Sequence, residues 1–236
     1  MSNFSKIEDD VSKNQVMPRE LISIIIPARN EEGNIERLET ELLAIIDTLP
    51  FDFEIIVIDN GSTDQTGKRI KEICDRDIRW KYYRFSRDFT LDMSLTAGYH
   101  EARGDAVVVL YSDLQDPPAV IPRFIEKWKE GYDVVYGVRT IRLGEPAWRN
   151  LLVKIAYRVI RWFSEVPIPN DVGDFRLVTR QVRDALEECS EYNRYIRGLI
   201  AWLGFRQTGI PYERKARSHG VSKAPLSIFY CTRSVQ

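Results

Sequence analysis

Histidine and cysteine are both scarce in this chain of 236 residues. The two histidines, His100 and His219, are too few for a histidine-rich metal site. The three cysteines (Cys74, Cys189 and Cys231) lie far apart and form no Cys-x-x-Cys pair. This spacing argues against a disulfide framework and against a zinc site, and it favours a reducing compartment.

The chain also lacks an excess of charge of one sign and a long apolar run. Its formal net charge is −1, so nucleic acid is not an expected partner. No segment approaches the roughly 18 apolar residues that a membrane-spanning helix needs, and the N-terminal residues contain no signal-peptide core. We expect residues 1–20 to form a flexible tail ahead of the folded domain.

Two common phosphate-binding loops are missing as well. Gly61–Arg69 looks like a P-loop, but five residues separate its glycines instead of four, and Arg69 follows Lys68 in place of Ser or Thr. No Gly-x-Gly-x-x-Gly occurs anywhere in the chain. The sequence therefore argues against a P-loop protein and against a dinucleotide-binding enzyme.

What is present is an alternation of short apolar runs and amphipathic segments. The runs are nearly continuous in apolar residues, as buried parallel strands are, and they predict strands at Leu21–Ile26, Glu54–Ile58, Ala106–Leu110 and Tyr132–Tyr136. Helical spacing predicts helices at Ile35–Leu49, Thr66–Cys74, Leu91–Ala102 and Ile121–Lys129. This order predicts an α/β fold with an open, mostly parallel sheet flanked by helices, whose ligands bind beyond the carboxyl ends of the strands.

Two features of the second half suggest an anionic surface as partner. Residues 148–163 predict a strongly amphipathic helix, with basic residues on one face and Leu, Ile, Trp and Phe over much of the rest. That pattern is typical of a helix in a membrane interface, and a core-packing helix with a solvated basic edge fits it equally well. From Arg197 to Lys223 six basic residues face one acidic residue, Glu213.

Acidic side chains directly follow two of the predicted strands. Asp59 ends the run EIIVID, where it can reach a ribose or a base, although Asp-Asn-Gly is also a common start of a turn. Asp113 and Asp116 follow AVVVL, and carboxylates there suit Mg²⁺ or Mn²⁺ bridging a diphosphate. Helix capping ahead of Pro117 is the alternative, above all for Asp116.

Several blocks of sequence carry a family resemblance. SIIIPARNEEGNI, EIIVIDNGSTDQT and AGYHEARGDAVVVLYSDLQDPP resemble the nucleotide-binding half of the family 2 inverting glycosyltransferases, which have the Rossmann-like GT-A fold. VVYGVR, GDFRL, RGLIAWLGFRQTGIPYERKAR and RSHGVSK resemble the polyprenyl-phosphate branch, with its dolichyl-phosphate mannose synthases and bacterial undecaprenyl-phosphate glycosyltransferases. The resemblance implies a catalytic domain at 21–223, divided into a nucleotide-sugar half (21–118) and an acceptor half (119–223), and a juxtamembrane segment at 224–236.

The resemblance also implies roles for individual residues. Donor binding is expected at Pro27, Ala28, Arg29, Glu31, Asp59, Arg87, Ser112, Asp113 and Gln115. Asp113 and Gln115 match the metal-binding positions, so Mg²⁺ or Mn²⁺ is the expected cofactor. The acceptor phosphate is expected at Arg139, Arg217, Ser222 and Lys223. Asp174, Asp113 and Arg139 are the expected catalytic residues, and a structural ion pair with Arg176 is the alternative for Asp174.

The reaction implied is the inverting transfer of a hexose, best matched by glucose from UDP-glucose, to undecaprenyl or dolichyl phosphate. Its place is the cytoplasmic face of the membrane, with transmembrane helices expected beyond Gln236, and a homo-oligomer is compatible with the sequence. GDP-mannose is the alternative donor. A catalytically weak nucleotide-sugar-binding protein is the alternative to an enzyme.

Four positions depart from the family pattern. Tyr111 stands where an Asp usually begins the metal motif, and Asn60 where a second Asp often follows the second strand. Arg29 replaces a usual Tyr, and Ala224 replaces an aromatic residue. The loss of the acid at Tyr111 bears on metal affinity more than on the fold, and it supports the reading as a weakly catalytic protein.

Overall fold

The computed structural model describes residues 19–139, 172–191 and 194–214. Within these ranges the chain forms seven strands: β1 Leu21–Ala28, β2 Asp52–Asp59, β3 Trp80–Arg84, β4 Ala106–Val109, β5 Val134–Arg139, β6 Val172–Thr179 and β7 Gln207–Tyr212. It also forms six α-helices there: α1 Ile35–Ile46, α2 Thr66–Cys74, α3 Leu91–Glu101, α4 Ile121–Lys129, α5 Arg180–Glu188 and α6 Ile196–Trp202. A short 3₁₀ helix, Pro118–Val120, precedes α4.

The seven strands form one mixed sheet in the order β3-β2-β1-β4-β6-β5-β7. Strands β1 to β4 are parallel, and β5 pairs in parallel with β7. Strand β6 runs antiparallel to both of its neighbours, β4 and β5. The amino end of β6 therefore lies at the same edge of the sheet as the carboxyl ends of β4 and β5, and we call this edge the carboxyl edge.

Strands β1, β2 and β4 are mostly apolar because both faces of the sheet are covered. Along β1, Ile24 packs into the core beside α1, α2 and α4, while the next residue, Ile25, packs into the core beside α3, α5 and α6. The same alternation holds in β4, where Val108 and Val109 face opposite sides. A strand that is buried on both faces therefore does not show the alternation of polar and apolar residues that is typical of a half-exposed strand.

The α/β fold with a mostly parallel sheet is confirmed, and each predicted strand and helix up to β5 is present. Helices α2 and α4 have the predicted bounds, and the other predicted elements differ at one or both ends. Strands β3, β6 and β7 and helices α5 and α6 were not predicted from the sequence. The predicted helix at 148–163, residues 1–18 of the expected tail and the segment 224–236 lie outside the described residues. Among the residues that the structure describes, no helix is both long and apolar enough to span a bilayer.

Candidate active site

The segment after β4 is tied to the end of β1 at the carboxyl edge. The Ser112 hydroxyl donates to the backbone oxygen of Pro27 at 3.1 Å, and both residues are buried. Leu114 adopts a left-handed backbone conformation (φ 54°) and buries its side chain, a costly arrangement for a bulky residue. The resulting turn holds Asp113 beside the ends of both strands, as the sequence predicts.

Asp113 and Gln115 are the residues with the chemistry to hold a divalent cation. Asp113 is buried, and one of its oxygens accepts a hydrogen bond from the backbone N–H of Gln115 at 3.1 Å. Within the described residues no group of three or more acidic, histidine or cysteine side chains is placed to ligate a metal. One carboxylate fits Mg²⁺ or Mn²⁺ when a diphosphate supplies further oxygens, because Mg²⁺ commonly binds through one or two carboxylates plus substrate phosphates.

Asp59 lies fully buried at the tip of β2. Its Oδ1 accepts from the backbone N–H of Ser62 at 2.8 Å, and its Oδ2 accepts from the Tyr82 hydroxyl at 2.6 Å. Gly67 makes room for that hydroxyl, because a Cβ at this position would lie 2.4 Å from it. The turn interpretation of Asp59 is thus confirmed, and its contact with a donor stays a prediction.

Asn60 fastens the loop 85–90 to the end of β2. Its side-chain amide donates to Asp88 Oδ1 at 3.0 Å and to the Phe89 carbonyl at 2.8 Å, and it accepts from the Phe89 N–H at 2.7 Å. Asp88, in the same loop, forms an ion pair with Arg29, the residue that follows β1. Arg87 is exposed, and its guanidinium stacks on the Phe89 ring with 4.0 Å between them.

The loop after β1 is bound to the start of α2 through its backbone. The N–H of Asn30 donates to Ser62 Oγ at 3.0 Å, and the N–H of Glu31 donates to Thr66 Oγ1 at 2.8 Å. The Glu31 carboxylate accepts from the Asn34 amide at 2.6 Å. Pro27, Ala28, Arg29 and Glu31 are therefore grouped between the ends of β1 and β2, where a nucleoside pocket was expected.

Asp174, near the amino end of β6, accepts hydrogen bonds from three neighbours, Tyr111, Arg197 and Arg176. The Tyr111 hydroxyl donates to its Oδ2 at 2.7 Å, and Arg197 donates to both oxygens at 3.2 and 2.7 Å. Arg176 lies 3.5 Å away and is itself buried. Burial works to raise the pKa of Asp174, but Arg197, Arg176 and Tyr111 together hold that pKa below its usual value.

The Tyr111 hydroxyl is a hydrogen-bond donor to the Asp174 carboxylate. Burial, together with the nearby Asp174 charge, raises the pKa of the Tyr111 hydroxyl far above its ordinary value, so the phenol stays protonated. A carboxylate at position 111 would instead face Asp174 with a like charge. The ion pair that the sequence suggested with Arg176 is present, and Arg197 forms the shorter one.

Another buried carboxylate, Asp116, lies beside the carboxyl ends of β5 and β7. The Tyr212 hydroxyl donates to it, while Arg139 and Arg214 approach it at 3.7 and 3.6 Å. Burial raises the pKa of Asp116 more than these partners lower it. The capping interpretation is wrong for this residue, because neither the 3₁₀ helix nor α4 has a side-chain cap.

The carboxyl edge thus brings Asp113, Asp174 and Arg139 to neighbouring strand ends, and their catalytic roles stay predictions. Arg217, Ser222 and Lys223, predicted for the acceptor phosphate, lie outside the described residues. Sequence reasoning did not single out Tyr212 or assign Arg197 and Arg214 to the site. The signal available for both arginines was the basic excess between Arg197 and Lys223.

A seven-stranded sheet of this order, with an acidic turn directly after β4, places the chain in the GT-A class of glycosyltransferase folds. A crystal structure of glucosyl-3-phosphoglycerate synthase from Mycobacterium tuberculosis, in complex with Mn²⁺, UDP and glucosyl-3-phosphoglycerate, superposes with a TM-score of 0.56. The likeness covers 89% of this chain and 75% of that chain at 20% identity, which shows the fold alone.

The chain belongs to glycosyl transferase family 2, whose sequence model matches residues 23–190. An uncharacterized glycosyltransferase of Bacillus subtilis, YkcC, is 41% identical over 86% of this chain and 63% of its own length. The bactoprenol glucosyl transferase of Shigella phage SfX is 33% identical over 86% of this chain and 66% of its own length. The chain therefore spans just under two thirds of these curated relatives.

Proposed function

We propose that this chain catalyses the inverting transfer of a hexose from a nucleotide sugar to a polyprenyl phosphate. The observation that carries the proposal is the composition of the carboxyl edge. This edge contains Asp113, a carboxylate suited to binding a divalent cation. It also contains arginines that pair with two buried carboxylates: Arg197 with Asp174, and Arg139 and Arg214 with Asp116. Arginine is suited to bidentate binding of phosphate, so this edge fits a diphosphate donor and a phosphate acceptor.

The relatives support the choice of sugar and acceptor. The Shigella phage SfX relative is named as a glucosyl transferase acting on bactoprenol, a polyprenol. The Mycobacterium tuberculosis structure of the same fold holds UDP and Mn²⁺. We therefore infer UDP-glucose as the donor and Mg²⁺ or Mn²⁺ as the cofactor, with GDP-mannose as the alternative donor.

The chemistry of a phosphate acceptor agrees with the state of Asp174, a buried carboxylate that is hydrogen-bonded to two arginines. A phosphate monoester is largely ionised at neutral pH, since its second pKa is about 6, so its oxygen can attack the sugar without losing a proton to the protein. Asp174 has a lowered pKa and holds Arg197, and we therefore assign it the positioning of charge at the reaction centre rather than proton transfer.

Asp113 and Gln115 would hold the cation together with the donor diphosphate. The cation, when bound, neutralises charge on the departing nucleotide diphosphate. Ser112 keeps this turn against β1, so that a diphosphate bound there also lies beside the nucleoside pocket expected at Pro27 and Ala28.

A polyprenyl phosphate is anchored in a bilayer, so we propose that the protein works at the cytoplasmic face of the membrane. Its basic C-terminal part suits anionic headgroups. Flotation with liposomes that contain anionic lipid tests this setting, and the absence of association at low salt would contradict it.

Tyr111 favours a second candidate function, a nucleotide-sugar-binding protein with weak turnover. Its phenol occupies the place of a usual metal-binding acid and is engaged with Asp174. This candidate shares the donor site with the enzyme and differs from it only in turnover.

The deciding experiment incubates the protein with UDP-glucose, undecaprenyl phosphate and Mn²⁺ or Mg²⁺ in detergent, and follows lipid-linked glucose and released UDP. We expect product, and we expect Asp113→Ala to lower its rate by about a hundredfold. Asp52→Ala, at an exposed position at the opposite edge of the sheet, serves as the control and should leave the rate unchanged. UDP-glucose binding without product would favour the second candidate, and product from GDP-mannose alone would correct the donor.

A further inference from the structure

The pairing of Tyr111 with Asp174 follows from the register of the sheet. Strands β4 and β6 run antiparallel, and the last pair at the end of β4 is Val109 with Arg176. Two residues beyond this pair, towards the carboxyl edge, Tyr111 falls opposite Asp174, and its hydroxyl donates to Oδ2 at 2.7 Å. Tyr111 also lies two residues before Asp113, so this hydrogen bond joins the turn expected to hold the cation directly to β6.

The residue type at position 111 decides what this pair requires. A carboxylate there would face the buried carboxylate of Asp174 from a neighbouring strand, and like charges in opposed positions repel each other, most strongly in a shielded site. Such a pair needs a proton or a cation between its oxygens. A tyrosine hydroxyl is neutral and donates a hydrogen bond, so with Tyr111 the pair needs neither.

Through Asp174, this hydrogen bond reaches Arg197 on α6. The Arg197 guanidinium donates to Oδ1 through Nε at 3.2 Å and to Oδ2 through Nη2 at 2.7 Å, so the orientation of the carboxylate fixes that of the guanidinium. The helix is anchored at its start, where the Ile196 N–H donates to Asp92 Oδ1 at 3.2 Å. The Arg197 side chain is 34% exposed, and it is therefore accessible to a ligand at the carboxyl edge.

We propose that Tyr111 is a positioning residue for the reaction, because its hydroxyl orients Asp174 and, through it, Arg197 without the help of the divalent cation. The reaction itself is the proposed function, on which this inference rests. A cation at Asp113 then serves the donor diphosphate alone, while Arg197 is already oriented before donor and cation bind. A charge that is oriented in advance needs no reorganisation in the transition state.

The first measurement follows the side-chain Nε–H signal of Arg197 by NMR on the whole chain. In the unmodified protein we expect slow exchange of this proton with water, at a rate that Mg²⁺ alone does not change. Tyr111→Phe removes the hydroxyl but keeps the ring, and it should speed the exchange by about tenfold. Tyr83→Phe is the matched control. It removes a hydroxyl that is hydrogen-bonded to another carboxylate, Glu101 at the end of α3, and should leave the signal unchanged.

The second measurement compares Tyr111→Asp with Tyr111→Asn, which has the same size but no charge. In Tyr111→Asp the new carboxylate faces Asp174, so thermal unfolding should come to depend on Mn²⁺ added without nucleotide. A gain in Mn²⁺ affinity of about tenfold would raise Tm by about 3–5 °C more than in the unmodified chain. Tyr111→Asn should show only the rise that the unmodified chain shows.

Turnover distinguishes a positioning residue from a structural one. We expect Tyr111→Phe to lower kcat by about tenfold to a hundredfold, while the KM for UDP-glucose and the Mn²⁺ concentration for half-maximal rate stay constant. If Tyr111 acts through Asp174, adding Tyr111→Phe to Asp174→Asn should cost no further activity. Should Asp174→Asn fail to fold, the single variants of Tyr111 still decide the question, because Tyr111→Phe retains the ring and its packing.

Three results would overturn the inference. They are an Arg197 signal that Tyr111→Phe leaves unaffected, a Tyr111→Asp protein whose Tm responds to Mn²⁺ no more than that of Tyr111→Asn, and a kcat of Tyr111→Phe equal to that of an active unmodified chain. An inactive unmodified chain that meets the first two expectations would instead count against the proposed function, and Tyr111 would remain the residue that orients Arg197.

Discussion

Replacing Asn60 by Asp restores the acid that related glycosyltransferases often have at this position, and we expect it to destabilise the protein. The Asn60 amide nitrogen donates to Asp88 Oδ1 and to the Phe89 carbonyl, while its oxygen accepts from the Phe89 N–H. Because a backbone N–H can only donate, this orientation of the amide is unambiguous. An ionised carboxylate keeps the one accepting bond and loses both donating bonds.

The expected loss follows from those two bonds. Each lost donor leaves an acceptor to find water or remain unsatisfied, at about 1–3 kcal/mol for a shielded group. The Phe89 carbonyl and the Asp88 carboxylate lie in a partly exposed loop, and Arg29 still pairs with Asp88, so values near the lower end apply. We expect the free energy of unfolding to fall by about 2–4 kcal/mol, and Tm by about 4–16 °C.

Urea unfolding at pH 7, followed by circular dichroism and by tryptophan fluorescence, measures this change. The matched controls are Asp88→Asn alone and the double variant with Asn60→Asp, because an Asn at position 88 can donate to the new carboxylate. The double variant should recover about 1 kcal/mol relative to Asn60→Asp. An Asn60→Asp protein within about 0.5 kcal/mol of the parent would refute the reasoning, since surface substitutions without such contacts usually stay in that range.

Two further substitutions test contacts of the carboxyl edge. Tyr111→Phe removes a hydrogen-bond donor from Asp174, so the pKa of Asp174 in the folded protein should rise towards its unfolded value of about 4. The stability that this carboxylate contributes is present above the unfolded pKa and is lost as pH falls through the lower folded pKa, so the free energy of unfolding of the variant should depend less on pH. Urea unfolding between pH 5 and 2.5 measures this dependence, and an unchanged slope would contradict the assignment. Gly67→Ala should destabilise the protein by about 1 kcal/mol despite the better helix propensity of Ala, because the new Cβ would displace the Tyr82 hydroxyl from Asp59. Adding Tyr82→Phe should relieve the clash. A stabilised single variant would show that the Tyr82 side chain moves aside without cost.

Local composition was enough to locate the central strands and most helices of the first half. Strands β1, β2 and β4 are buried on both faces, so each appears in the sequence as a short apolar run. The position of Asp113 could be predicted for the same reason, because a residue that directly follows a buried parallel strand must lie at the carboxyl edge.

The strands that escaped prediction carry polar residues for identifiable reasons. Strands β3 and β7 are the two ends of the sheet, and their sequences WKYYR and QTGIPY contain partly exposed side chains. Strand β6 contains the buried charges Asp174 and Arg176, which interrupt its apolar pattern. Its insertion between β4 and β5 follows from antiparallel pairing over long sequence separations, which no local pattern reports.

What the sequence by itself determined about this protein was its class of fold, its family and the strand ends at which ligands are expected to bind. Only the tertiary structure decided which groups the polar residues at these strand ends form hydrogen bonds with. The partners of Asp116 and Asp174 in Tyr212 and Tyr111 are 96 and 63 positions away along the chain. Asn60 likewise finds its partners 28 and 29 positions on. A hydrogen bond depends on the distance and direction between two groups in space, and those are set by strand order and register rather than by the neighbouring residues in the sequence.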